Sequence, residues 1–284
     1  MVLKTAGILY LVATPIGNLE DITLRALRVL RECDLIAAED TRHTAKLLHH
    51  FDIRTPTTSM HEHNEHLKAG ALVEKLRLGG SIALVSDAGT PAVSDPGFRL
   101  VQAALAAGIR VEAIPGPSAV LAALVSSGLP TDAFVFVGFP PARAKARATW
   151  LEALRAETRT VVFFEAPHRI VDTLNDALRV VGDRQVAVGR ELTKLHEELV
   201  RGPISDVLGR LTELRGEFTI VMAGQPVVVA CVDVTSVNET AIYREFCRLT
   251  ESGLGRRDAI SAVASKYRLR SRDAYAVIER VRNS

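Results

Sequence analysis

The chain has 284 residues, 48% of them hydrophobic and 24% charged, and carries a net charge of +2. That length fits one large domain or two medium ones and can bury a sizeable core without staples. The even spread of Leu, Val, Ala and Ile excludes collagen-like, low-complexity and disordered chains. Cys33, Cys231 and Cys247 are far apart and form no CxxC pair. A disulfide framework or structural zinc is disfavoured, and a reducing cytoplasm is expected.

Near the start, Lys4 precedes the apolar run 6–13, which faintly mimics a signal peptide. The run leads instead into Thr14-Pro15-Ile16-Gly17-Asn18 with no small-x-small cleavage site, so it reads as a buried first strand. No apolar stretch approaches the roughly 18 residues of a spanning helix. Further strands are expected over 34–38, 81–86, 110–114, 134–137, 161–164, 185–189 and 218–222, and helices over 24–31, 65–78, 98–107, 150–156 and 170–181. Strands such as Ile82–Val85 are apolar on both faces, as in a sheet covered by helices on both sides. The alternation predicts an α/β fold with a largely parallel sheet. Domain limits are expected at 1–127 and 128–225, then a linker over 226–237 and a module over 238–284.

Chemistry is expected at the strand ends, because open α/β sheets bind ligands at their carboxyl edges. The loop from Thr14 to Asp21 is neither G-x-G-x-x-G nor G-x-x-x-x-G-K-[ST], which disfavours a dinucleotide or P-loop site. By itself it also reads as an ordinary βα turn. The loop from Ser86 to Gly97 is twelve residues long, with two Ser-Asp pairs, unusual length for such a connection. Ser94 or Asp95 fits a helix cap ahead of Pro96. Asp87 precedes no helix and sits where ribose hydroxyls or a positive charge would lie. Ser118, in Pro115-Gly116-Pro117-Ser118, fits a cap for a helix starting at Ala119 and equally a carboxylate site. Charges close other strands at Glu39-Asp40-Thr41-Arg42, Glu165 to Arg169, and Arg190 to Lys194, where buried ion pairs are the commoner explanation. His61, Glu62, His63 and His66 form a polar cluster without HExxH or Cys partners, so no metal site is expected.

The segment 238–284 holds ten Arg or Lys against six Asp or Glu, a net of +4, which leaves −2 on the rest. Ile242, Phe246 and Leu249 share a helical face. So do Ile260, Val263, Ala264 and Tyr267, and again Ala274, Val277, Ile278 and Val281. Gly253 and Gly255 punctuate the first break, and Ser271 fits a cap for the last helix. Three helices follow, the last two like a helix-turn-helix. Arg268, Arg270 and Arg272 cluster at its turn, with Arg256 and Arg257 as further candidates for nucleic-acid contact. A solvated bundle surface fits the same pattern.

Taken together, 11–23, 38–42, 85–97, 115–119, 163–169 and 190–194 resemble the tetrapyrrole methylase superfamily, the class III methyltransferases. Within it they closely match the ribosomal RNA small subunit methyltransferase I family. The resemblance spans essentially the whole chain. It implies two α/β domains of the tetrapyrrole methylase type with the cofactor cleft between them, plus a small C-terminal helical module. It implies S-adenosyl-L-methionine as cofactor and a homodimer. It also implies methylation of the ribose 2′-hydroxyl of a cytidine in the decoding region of 16S rRNA, the partner being 16S rRNA or the 30S subunit. The carry-over places the cofactor on Asp87, Gly89 and Thr90, on Ser118 and Ala119, near Glu165–Ala166 and near Met222–Ala223. Pro15 and Gly17 would line the cleft. The superfamily's Gly-Asp-Pro signature is Ser86-Asp87-Ala88 here. Glu165, Asp40 and Lys194 are candidates for a general base or an alkoxide-stabilising cation, with His61 a further option; no spacing argument picks among them. A tetrapyrrole methyltransferase would share the cofactor site, and a ligand-sensing helix-turn-helix DNA regulator is the non-enzyme alternative.

Overall fold

The computed structural model describes residues 7–61, 64–226, 239–267 and 269–282. Residues up to Gln225 form one compact unit and those of the C-terminal segment another. The expected linker beyond Pro226, together with Arg268, lies outside the described residues.

The first half is built on strands β1 (Ile8–Val12), β2 (Leu35–Ala38), β3 (Thr57–Ser59), β4 (Ser81–Val85) and β5 (Arg110–Ile114). They pair in the order β3-β2-β4-β1-β5, and every pair is parallel. The reason is visible in β4. Ile82 and Leu84 pack with helices α3 (Glu65–Arg77) and α4 (Phe98–Ala106), whereas Ala83 and Val85 pack with α1 (Leu24–Glu32) and α2 (Thr41–His50). A strand buried on both faces belongs inside a parallel sheet, where crossover helices supply both covers. The loops leaving β1 and β4, adjacent strands, lead to helices on opposite faces, which opens a crevice at the carboxyl edge. Thr23 caps α1 by accepting from Ala26 N at 3.1 Å, and Ser118 caps α5 (Ala119–Ser127) by accepting from Leu121 N at 3.4 Å.

The second half holds β6 (Phe134–Phe136), β7 (Thr160–Glu165), β8 (Gln185–Arg190), β9 (Glu198–Pro203) and β10 (Phe218–Met222), in the order β6-β7-β10-β8-β9. Only β6 and β7 are parallel; the other pairs are antiparallel. The expectation of a largely parallel sheet therefore holds for the first half alone. A seven-residue link, too short for the crossover helix that parallel strands need, joins β8 to β9. Phe163, Val188, Ile220 and Met222 form one core with α6 (Ala144–Ala153), α7 (Ile170–Val181) and α8 (Ile204–Arg210). Val162, Ala187 and Val221, on the other face, pack against Ile16 and against Val120, Ala123 and Leu124 of α5. That seam joins the two halves of the unit.

Several expectations need adjustment. β3 (Thr-Thr-Ser) and the charged β9 carry no apolar run, and α2 and α8 were absent from the expected helices. Helix α6 starts at Ala144 rather than 150, because its first turns are polar. The cap expected from Ser94 or Asp95 comes instead from Glu65, a buried residue 32 positions earlier that accepts from Gly97 N at 3.2 Å.

In the C-terminal segment, α9 (Glu239–Glu251), α10 (Arg256–Lys266) and α11 (Ser271–Arg282) enclose Ile242, Val263, Val277 and Ile278, the residues the helical periodicity singles out. Ser271 is the first residue of α11, and the carbonyl that accepts from Ala274 N belongs to Arg270.

Candidate functional site

The carboxyl ends of the first sheet converge on the loops read as chemical. Thr14 and Gly89 exchange both backbone hydrogen bonds at 2.9 Å, bridging the loops after β1 and β4. The Thr90 hydroxyl donates to the Pro117 carbonyl at 3.4 Å, adding the loop after β5. The loop after β2 is tied in by two contacts: Asp40 N donates to Asp87 Oδ1 at 3.1 Å, and Asp87 N donates to Glu39 Oε2 at 3.2 Å. Pro15, Gly17, Asp87, Gly89, Thr90, Ser118 and Ala119 therefore follow three neighbouring strands, β1, β4 and β5, and Glu39 and Asp40 add the loop after β2. Ser118 serves as the α5 cap, and Ala119 packs at the seam between the halves.

The electrostatics of this edge are acidic. Burial pushes the Asp95 carboxyl up to about 6, and neighbouring Glu39, Asp87 and Glu217 push the same way against a hydrogen bond from Ser86. Burial likewise raises Glu39, with Asp87 and Asp40 adding repulsion. An edge that holds carboxylates this close is a place where a cationic ligand relieves strain. Asp95 joins this acidic edge although Ser-Asp-Pro-Gly reads as a cap signal, because the cap role is taken by Glu65. Gly89 takes φ +76, a backbone conformation that strains residues with side chains, and a Cβ there would meet Ile16 Cγ2 at 3.5 Å, an ordinary contact.

The second half meets this edge through the loop after β8. Gly17 lies so close to it that a Cβ would stand 2.3 Å from Lys194 Cγ and 2.9 Å from the Leu192 carbonyl oxygen. Glu191 and Thr193 take positive φ of 52° and 66°, rare for residues with side chains and a form of strain that clusters at functional sites. Lys194 Nζ pairs with Glu191 Oε1 at 2.9 Å.

The catalytic candidates are not equivalent. Asp40 caps α2 and pairs with Arg42 at 2.7 Å, which holds its carboxyl well below the usual range. Glu165 has a fully buried side chain that accepts from Thr173 Oγ1 at 2.6 Å, Ala166 N at 2.7 Å and Arg169 Nη2 at 3.1 Å. Its lone pairs are committed to holding the start of α7, and Ala166 is held with it. His61 stands before α3, where its backbone N donates to Asn64 Oδ1 at 2.9 Å, while Glu62 and His63 lie outside the described residues. Lys194 alone is packed against the first-strand loop.

Met222 is buried in the core with α6 and α7, on the face of the sheet opposite the seam, and its backbone pairs with Val161 and Val186. Strand β10 runs antiparallel to β7, so its residue beside Glu165 is Phe218. The side chain that β10 turns toward the seam is Val221. Among the described residues no group of three His, Cys, Asp or Glu is placed to hold a metal ion, and no helix is long and apolar enough to cross a membrane.

In the C-terminal segment, Arg256 pairs with Glu279, Arg270 with Asp273 at 2.7 Å, and Arg272 lies 3.9 Å from Asp273. Arg257 is exposed, and Arg268 lies outside the described residues. The acids among these arginines temper the positive field without cancelling it.

Comparison with known proteins shows the family and the fold. Residues 8–208 match the family model for Tetrapyrrole (Corrin/Porphyrin) Methylases. The Ribosomal RNA small subunit methyltransferase I of Halalkalibacterium halodurans is 46% identical over 275 residues, 95% of this chain and 94% of the relative. The protein of that name from Synechocystis sp. is 48% identical over 272 residues, 95% and 96% of the two chains. Among solved structures, uroporphyrin-III-C-methyltransferase from Thermus thermophilus superposes with a TM-score of 0.57 at 22% identity, covering 76% of this chain and 94% of its own. Diphthine synthase superposes with a TM-score of 0.62 at 15% identity, covering 77% and 90%. These two likenesses speak for the fold.

Proposed function

The chain belongs to the ribosomal RNA small subunit methyltransferase I family, and from that premise we propose that it methylates the ribose 2′-hydroxyl of a cytidine in the decoding region of 16S rRNA, using S-adenosyl-L-methionine. The observation that carries the reading is the meeting of four strand-end loops at one acidic edge, tied by the Thr14–Gly89 bridge and by Asp87. The donor set fits the cofactor: carboxylates at Asp87, Glu39 and Asp95 for positive charge, and the N-terminus of α5 behind Ser118 for a carboxylate.

Bound there, S-adenosyl-L-methionine supplies a methyl group on a positively charged sulfur. The protein's task is to orient an acceptor hydroxyl in line, exclude water and manage one proton. A ribose hydroxyl becomes a useful nucleophile only as its proton leaves. Asp95, raised to about 6 by burial and its acidic neighbours, is the proton acceptor we assign at the edge. Lys194, held by Glu191 against the Gly17 loop, is the cation placed to stabilise the developing alkoxide. Asp40 and Glu165 act as positioning groups, since each already serves a helix start. The arginines of 239–282 supply phosphate contacts that orient the rRNA. The working form is a homodimer in the cytoplasm.

The test is transfer of labelled methyl to unmethylated small subunits, naked 16S rRNA, DNA and a porphyrin, followed by nucleoside digestion. Label in 2′-O-methylcytidine from the small subunit or its rRNA is the expected result. Label in a base, in another nucleoside or in the porphyrin overturns the reading.

A further inference from the structure

A pocket of about 230 Å³ opens beside the acidic edge, between α2 and the Ser86–Asp87 turn, lined among others by Thr14, Leu19, His43, Lys46, Ser86 and Asp87. We propose that this pocket receives the target nucleotide, with its ribose against Ser86 and Asp87 and its phosphate toward Lys46. The inference rests on the rRNA reading above and assigns the acceptor side of that site.

Charge decides the orientation. Glu39, Asp87 and Glu217 each lie within electrostatic reach of Asp95, and that field repels a phosphodiester chain. An RNA strand needs a positive group to approach, and helix α2 provides one in Lys46. Its sequence, Thr-Arg-His-Thr-Ala-Lys-Leu-Leu-His-His, holds no acid. Thr44, Leu47 and Leu48 face the core, which turns Arg42, His43, Lys46, His49 and His50 to solvent along one stripe. Arg42 is occupied by Asp40, whereas Lys46 has no ion-pair partner among the described residues. This pocket brings that stripe and the acidic edge to one wall. A nucleotide has the matching polarity: anionic phosphate outward, neutral ribose inward, and a base with an apolar face for Leu19 and Pro15.

Size supports the same occupant. Pockets that enclose a whole small molecule usually measure about 300–1,000 Å³. This one is smaller, suited to a single nucleoside unit swung out of a strand and too small for a tetrapyrrole macrocycle. Single-stranded RNA is commonly read this way, one splayed base at a time. Leu19, 38% exposed on the 3-10 turn Leu19–Asp21, forms a rim that can be enlarged without disturbing the core.

The experiment uses the full chain with unmethylated small subunits and a 16S rRNA fragment. Lys46→Glu should weaken rRNA binding about tenfold at low salt, and Lys46→Gln should lower the salt slope by about 1, as for one lost phosphate contact. Lys46→Arg should restore both. Leu19→Trp should lower kcat while S-adenosyl-L-methionine affinity, read by calorimetry, stays within about twofold. Wild-type affinity and salt slope in Lys46→Glu would overturn the proposal, as would wild-type turnover in Leu19→Trp. If the wild-type protein transfers no methyl to these subunits, the functional reading fails first. If it does and the variants match it, only the pocket assignment fails.

Discussion

Removing the Glu65 carboxylate tests how the Ser86–Gly97 loop is held. Helix α4 has no cap of its own: the preceding residue is Gly97, at φ +128, where a Cβ would stand 2.6 Å from Leu84 Cδ2. Glu65 Oε1, buried on α3, instead accepts from Gly97 N at 3.2 Å, Arg99 N at 2.8 Å and Leu100 N at 3.3 Å. A hydrogen bond to a charged group contributes about 1.5–3 kcal/mol, and three sharing one oxygen add up to less than three separate bonds. The anion also meets the positive end of α4, which adds about 0.3–1 kcal/mol. Glu65→Ala should therefore cost about 3–5 kcal/mol, a large part of the 5–15 kcal/mol that holds a typical domain together. Glu65→Gln keeps an acceptor oxygen and loses the charge, so it should cost about 1–2 kcal/mol. Urea unfolding with m-values checks both figures. Calorimetry should show weaker S-adenosyl-L-methionine binding in Glu65→Gln, because the loop bearing Asp87 and Asp95 is then held by weaker, uncharged hydrogen bonds. A Glu65→Ala protein with the wild-type midpoint and m-value would refute this account of the loop.

Gly17→Ala should push the first-strand loop off the Leu192 carbonyl and cost about 1–3 kcal/mol by overpacking, with a larger loss in methyl transfer than in stability. Asp95 gives a pH signature. Its folded pKa, about 6, lies above the unfolded value near 3.8, so between these values the folded chain keeps a proton that the unfolded chain has lost. Stability then falls as pH rises through that window, and Asp95→Asn should raise Tm at pH 7.5 with a gain that shrinks toward pH 4. A Tm gain of equal size at both pH values would exclude burial of the charge as its cause. Deleting 238–284 should weaken rRNA binding and flatten its salt dependence while cofactor binding survives; equal rRNA affinity across a salt series would contradict this.

What the sequence determined by itself is local. The alternation in Ile82–Val85, apolar on both faces, was enough to place β4 inside a covered parallel sheet. Ser118 was legible as a cap because its signal lies within one helical turn. The three faces of the C-terminal helices were legible for the same reason. Asp87 stood out because no helix start explained it, and its loop does join the acidic edge.

What only the tertiary structure decided depends on partners far apart in the chain. Apolar patterning says that a strand is buried but not which way its neighbour runs, so the antiparallel pairs of the second sheet, and with them the inward turn of Met222, were not legible. Asp95 lost its cap role to Glu65, 30 positions earlier, and Lys194 gained its place through Gly17, 177 positions away. Hydrogen bonding and charge act through space, and a pattern with a period of two or 3.6 residues carries no information at those separations. The opening charge of +2 shows the same division: its split into a −2 body and a +4 tail is written in the sequence, while the acidic edge beside the basic face of α2 exists only once the strands are assembled.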